Sequence, residues 1–268
     1  MTAFPRTEVG GVSLPRMLIG CNWMMGFGHS TPANDRRIID SNCNRDAVAG
    51  IIEAFLAYDI NAVLGPASRY DALVEGVKLA EDRTGKEVIL IDTPLLNVDD
   101  TPEGRREAES EIKRCRERGV RFCFPHQYSA EQLVNKHKQT IERLPDYLAM
   151  IRDHGMIPGL SAHMPELIIY SDAQGYDVET YIQIYNCLGF LMQVEIEYIH
   201  GVIMAAQKPV MTIKPMAAGR VTPFVGLTFS YATIRPQDMV AVGCFTPAEA
   251  HEDVEIALAA LERRPPKI

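Results

Sequence analysis

Hydrophobic positions along this chain alternate between two rhythms. Short runs dense in β-branched and aromatic residues, such as "EVILID" and "VRFCF", are followed by longer stretches with apolar residues three and four apart. Examples of the latter are "RDAVAGIIEAFLAYD", "YDALVEGVKLAEDRTG", "TPEGRREAESEIKRCRERG" and "TPAEAHEDVEIALAALERR". The first rhythm predicts buried strands and the second amphipathic helices, so the chain reads as successive βα units around a parallel sheet. Strands are expected at Met17–Cys21, Asn61–Gly65, Glu87–Asp92, Val120–Phe124, Met156–Ser161, Val178–Tyr185, Pro209–Lys214 and Met239–Gly243. Eight units in 268 residues favour a closed ring over an open doubly wound sheet, and the expected fold is a single (β/α)8 TIM barrel domain spanning 1–268.

Boundary chemistry supports the pattern. Thr101-Pro102 and Thr246-Pro247 place a capping hydroxyl and then a proline at helix starts, while Gly85, Gly119 and Gly155 stand where helices stop. Three stretches read as irregular: "NWMMGFGHSTPANDRRIIDSNCN", "PHQYSAEQLVNKHKQTIERLP" and "KPMAAGRVTPFVG", after the first, fourth and seventh strands. In a parallel barrel every loop that follows a strand opens on the same rim, the rim where chemistry is located.

Composition narrows the partners. A formal charge of −8 with acids and bases interspersed offers no basic stripe for a phosphate backbone, so nucleic acid is not an expected partner. Six scattered cysteines without a CxxC pair read as reduced thiols in a cytoplasmic protein. The first twenty residues lack the apolar core of a signal peptide, and no run is long enough to cross a bilayer, so no membrane association is expected. The expected partner is a small-molecule substrate, with "GFLMQVEIEYIHGVIM" available either for a second subunit or for packing on the barrel.

The strand ends and their loops carry the candidate chemistry. His126 follows "FCFP" where a general acid/base or a metal ligand would stand, although bonding a neighbouring carbonyl is the plain alternative. His163 follows the fifth strand and could equally start a helix. Lys214 could orient an anion, polarise a carbonyl or pair with Asp92. Asp92, His126 and His163 end the third, fourth and fifth strands, and a carboxylate with two imidazoles suits zinc, manganese or iron. Asn22, His29, Gln183, Asn186 and Arg220 are the groups expected to hold substrate hydroxyls or a carboxylate.

Several phrases resemble the aldo-keto reductase superfamily, a barrel family of this size. "GLSAHMPELI", "YIQIYN", "IKPMAAGR" and "AVGCFTPAEAHEDVEIAL" are similar to its phrases for the fifth to eighth strands. "VRFCFPHQY" is similar to the strand bearing its catalytic histidine, which puts that role on His126, and "GPASRYDALVEG" to the segment bearing its catalytic tyrosine, which falls on Tyr70. The family's tetrad also needs an aspartate five residues before the tyrosine and a lysine at the third-strand end. This chain has Gly65 and "IDTP" there. Ala162 stands for the family's amide-binding asparagine, and Phe245 for the cation that meets its cofactor phosphate.

Three readings follow. The first is a nicotinamide-independent enzyme that abstracts a proton next to a carbonyl with metal assistance, an isomerase, epimerase or lyase acting on a small, polar, sugar-like substrate. Its catalytic set is His126, Tyr70, His163 and Lys214. The second is an NADP(H)-dependent reductase with a degenerate tetrad, Tyr70 donating the proton and His126 orienting the carbonyl. The third is a barrel used only for binding.

Overall fold

The computed structural model describes residues 2–268. The chain opens with a hairpin that the rhythm of the sequence did not suggest, β1 (Arg6–Val9) and β2 (Val12–Pro15), turned by Gly10 and Gly11 at φ 54° and 75°. The barrel strands follow in order with their helices: β3 (Met17–Gly20), α1 (Pro32–Asn42), α2 (Arg45–Leu56), β4 (Ala62–Leu64), α3 (Asp71–Thr84), β5 (Ile89–Asp92), α4 (Pro102–Glu117), β6 (Phe122–Cys123) and the single turn α5 (Gln127–Ala130). A small antiparallel pair, β7 (Val134–Asn135) and β8 (Thr140–Ile141), precedes α6 (Leu144–Asp153). The second half continues with β9 (Ile157–Pro158), β10 (Leu160–Ser161), α7 (Glu166–Gln174), β11 (Tyr181–Ile184), α8 (Ile196–Ala205), β12 (Val210–Ile213), α9 (Pro223–Thr233), β13 (Met239–Val242) and α10 (Pro247–Glu262).

The sheet is parallel throughout, in the order β10-β11-β12-β13-β3-β4-β5-β6-β9. Nine segments arise from eight strands because the fifth is interrupted: β9 pairs with β6, β10 pairs with β11, and only Gly159 separates them. The ring therefore closes through the chain itself. Pro158 has no N–H to give a neighbour, and a Cβ on Gly159 would overlap the ring of Phe124.

Side chains alternate strictly between two compartments. Leu18, Leu64, Ile91, Phe122, Ile182 and Met211 fill the barrel interior, whereas Ile19, Val63, Leu90, Cys123, Tyr181 and Val210 face the helices. Val9 and Leu14 of the hairpin join the interior cluster and plug the barrel at the end where the strands begin. There the buried Arg235 donates to both carboxylate oxygens of Asp238, while Arg16 donates to the carbonyls of Asp238 and Arg235.

Helix starts follow the expected chemistry. Thr101 and Thr246 accept from the N–H groups of Gly104 and Glu249, and Gly85, Gly119 and Gly155 take φ of 68°, 81° and 72°. The same cap-and-proline device at Thr31-Pro32 starts α1 inside the first stretch read as irregular. Among the described residues no helix is long and apolar enough to cross a membrane.

Substituting Gly159→Ala forces a methyl into the Phe124 ring and is expected to cost about 1–3 kcal/mol. Urea unfolding checks this, and Gly201→Ala, at an ordinary φ and with no atom within 4 Å of its would-be Cβ, serves as the substitution without a steric clash.

Candidate functional site

The strands deliver a cluster of basic groups to the rim where they end, and two left-handed residues aim part of it. Lys214 follows β12 directly with φ 62° and His29 lies in the β3–α1 loop with φ 54°. The Lys214 Nζ is 3.3 Å from Nε2 of His29, whose Nδ1 is 3.3 Å from the carbonyl of Phe27. An ammonium can only donate, so Nε2 of His29 accepts and Nδ1 carries the proton that goes to Phe27. Burial, and next the charge of Lys214, push the pKa of His29 below its ordinary value, in keeping with a neutral ring. Arg220 ties this corner together: its guanidinium donates to the carbonyls of His29 (3.2 Å) and Ala217 (3.1 Å) and lies 4.1 Å from the ring centre of Phe190. Three rim loops are thereby joined by one side chain.

His126 caps α5, its Nδ1 accepting from the N–H of Tyr128 at 3.2 Å. That bond leaves the proton of the neutral ring on Nε2, a donor available to a ligand. Burial, then the charges of Arg69 and Lys214, lower its pKa. The loop carrying His163 is pinned by Glu131, which accepts from the N–H groups of His163 (2.7 Å) and Met164 (2.9 Å). Burial first, then Lys214, His126 and His29, push the His163 pKa down to about 4. The charges of Lys214, His126 and His29 thus all disfavour a proton on His163, and Lys214 with His29 is the hydrogen-bonded contact among the four. Burial also lowers the pKa of Lys214, and His29 is the only hydrogen-bond partner of its ammonium among the described residues. Around them the rim is apolar, with Phe27 44%, Leu95 44% and Tyr128 67% exposed.

The expected metal set is not assembled. Strand alternation sends Ile91 into the barrel and Asp92 towards the helices, into the layer that holds Cys123 and Cys115. There Oδ2 of Asp92 accepts from the N–H of Ser68 at 2.5 Å and Oδ1 has no partner. Burial pushes its pKa up to about 6. Asp92 also does not pair with Lys214. Among the described residues no three His, Cys, Asp or Glu side chains are placed to hold a metal ion, so Asp92, His126 and His163 are corrected from ligands to two separate environments.

Two amides expected at the substrate are engaged elsewhere. Asn186 is fully buried, donating to the carbonyl of Phe190 and accepting from the N–H groups of Leu188 and Phe190, so it shapes its own loop. Gln183, also buried, donates to the carbonyls of His163 and Ile184, while its Oε1 has no partner. The Asn22 carbonyl accepts from Met25 and Phe27 and holds the turn after β3. Glu131 and Arg69 had no signal in the sequence, since both lie in polar stretches typical of surface.

The departure at Gly65 has a steric origin. Its φ is 150°, and a Cβ there would overlap Sγ of Cys21, which itself bonds the carbonyl of Leu64 at 3.2 Å. No acid can stand at position 65 while Cys21 keeps this place. Tyr70 packs edge-on against Phe27 at 6.1 Å, and burial, then Cys21, raise its pKa.

No family model matches this chain, and no curated protein matches it. Solved structures do. A Pseudomonas aeruginosa protein described as an aldo-keto reductase matches with TM-score 0.67 at 15% identity, covering 96% of each chain. The glycerol dehydrogenase of Gluconobacter oxydans matches with TM-score 0.63 at 13% identity, over 98% of this chain and 97% of that one. A silkworm (Bombyx mori) aldo-keto reductase matches with TM-score 0.59 at 11% identity, over 98% and 89%. The chain thus has the α/β-barrel fold of aldo-keto reductases.

Two outcomes are expected. Gly65→Ala destabilises by roughly 1–3 kcal/mol and Cys21→Ala recovers part of that loss, so chemical denaturation of the four-member cycle yields a coupling above about 0.5 kcal/mol. His163 has a folded-state pKa of about 4 against an ordinary 6.5. The unfolded chain therefore binds this proton first, and the stability contributed by the neutral ring is complete above pH 6.5 and lost as pH falls towards 4. His163→Gln accordingly flattens that part of the decline, measured by urea midpoints between pH 7 and 4.5.

Proposed function

We propose that this chain is an enzyme that moves a proton on the carbon next to a carbonyl, an isomerase, epimerase or lyase, acting on a small polar substrate with an anionic group. The observation carrying this reading is Lys214, a part-buried ammonium hydrogen-bonded to His29 past the end of β12, with no carboxylate partner among the described residues and a charge that bears on His126 and His163. A charge so placed attracts an anion or the oxygen of a polarised carbonyl, where enolate charge would develop. The Nε2–H of His126 supplies a second donor to that oxygen. His163, unprotonated at neutral pH, is the group able to take a proton from carbon. Arg220 holds the rim loops in register for this work.

A nicotinamide-dependent reductase is the second reading, favoured by the fold and by the donor of His126. The residues fit the cofactor poorly. Ala162 replaces the amide-binding asparagine, the Gln183 amide already serves His163, and Phe245 stands where the family has a cation, with Arg37 drawn onto its ring at 4.5 Å. Tyr70 has neither the aspartate nor the lysine that would lower its pKa.

The test is α-proton exchange into D2O followed by NMR, with pyruvate, dihydroxyacetone phosphate and glyceraldehyde 3-phosphate as probes, alongside titration of NADPH fluorescence. Wild type is expected to wash out the α-protons of at least one probe, with losses of about 100-fold or more in Lys214→Met and His163→Gln. Saturable enhancement of NADPH fluorescence, with no exchange, would overturn the proposal in favour of the reductase.

A further inference from the structure

The contact between Lys214 and His29 has the form of an activated nucleophile. A nucleophile needs a base within hydrogen-bond reach and a third group that orients the base. Here the Lys214 Nζ is the nucleophile, Nε2 of His29 lies 3.3 Å away, and the carbonyl of Phe27 fixes the ring through Nδ1. Arg220 holds the backbone of His29 from the other side. The backbone is also held out of ordinary regions: Lys214, Ala217 and Ala218 have φ of 62°, 49° and 55°, and His29 has 54°. Left-handed geometry in non-glycine residues costs on the order of 1–3 kcal/mol each and persists where surroundings over-determine it, commonly at working sites. The side chain's buried stem and the lack of an ion-pair partner both favour the free amine, which burial makes easier to reach. Other lysines differ: Lys86 and Lys136 are exposed and paired with Asp59 and Glu166, each at 2.6 Å.

We propose that Lys214 forms a covalent imine with the carbonyl of the substrate, with His29 as the base that takes its proton; this rests on reading the mouth as a carbonyl site. Nε2 of His29 first removes a proton from the Lys214 ammonium. The amine lone pair then attacks the carbonyl carbon, forming the C–N bond while the π electrons move to oxygen, which takes a proton from the new ammonium nitrogen to give a neutral carbinolamine. Loss of that hydroxyl as water, with one proton returned from His29, leaves a protonated imine. No oxidant, reductant or metal enters the balance. The iminium then withdraws electrons from the adjacent carbon, which makes the proton or carbon substituent there a leaving group.

Pyridoxal 5′-phosphate, an anionic aldehyde, is the probe. The intact protein is incubated with a limiting amount at pH 7, reduced with borohydride and mapped by peptide mass spectrometry. Lys214 is expected to carry at least about 10-fold more label than Lys86 or Lys136. His29→Ala is expected to lower labelling at Lys214 alone by about 10-fold, with recovery on adding free imidazole. Labelling of Lys214 no greater than at the exposed lysines overturns the imine, and undiminished labelling in His29→Ala overturns the base. If labelling fails while exchange still needs Lys214, the lysine acts by charge alone and the proposed function stands. If Lys214 labels selectively but no α-proton exchanges, the imine stands and the proton-transfer reading falls.

Discussion

A side chain on a barrel strand must face either the axis or the helices, and that constraint organises the molecule. It makes Leu18, Ile91, Phe122 and Met211 the filling of the ring and Ile19, Leu90, Cys123 and Val210 the adhesive for the helical layer. It also decides which polar residues reach the mouth. A group still inside the hydrogen-bonded strand has no freedom to turn, so Asp92 is committed to the helix side by its neighbour Ile91. His126, His163, Lys214 and His29 all lie past the last paired residue, where the chain can re-aim them. Working groups therefore come from the first residues of loops.

Much of this was legible from periodicity alone. All eight strands and the four long amphipathic helices stand where the apolar rhythm places them, because burial on one or both faces leaves a direct imprint on sequence. The break at Pro158-Gly159 leaves no periodic mark, since two apolar flanks conceal it; what requires glycine there is the Phe124 ring, a neighbour distant in sequence. The apolar rhythm does not show the hairpin β1–β2, although "EVGGVS" holds a turn signal, nor α1, although Thr31-Pro32 is a helix start. In both places a real local signal was outweighed by polar surroundings.

The site divides the same way. The imidazoles and Lys214 could be gathered from strand ends by counting, but the metal triad could not survive a check of strand parity that "ILID" already permits. What Gln183 and Asn186 do depends on loop carbonyls whose positions no linear pattern encodes. The pairing of Lys214 with His29 spans nearly the whole barrel in sequence. It depends on both residues adopting left-handed backbone, a choice neither residue type announces.

The interlock of Gly65 with Cys21 bears on descent. An acid at 65 and the thiol at 21 are mutually exclusive occupants of one volume, so a lineage moving between them needs two coordinated replacements. Each single replacement passes through a form that either overlaps or leaves a void. Such an interlock works as a ratchet: while the thiol stays at 21, any side chain at 65 has first to wait for a change at 21.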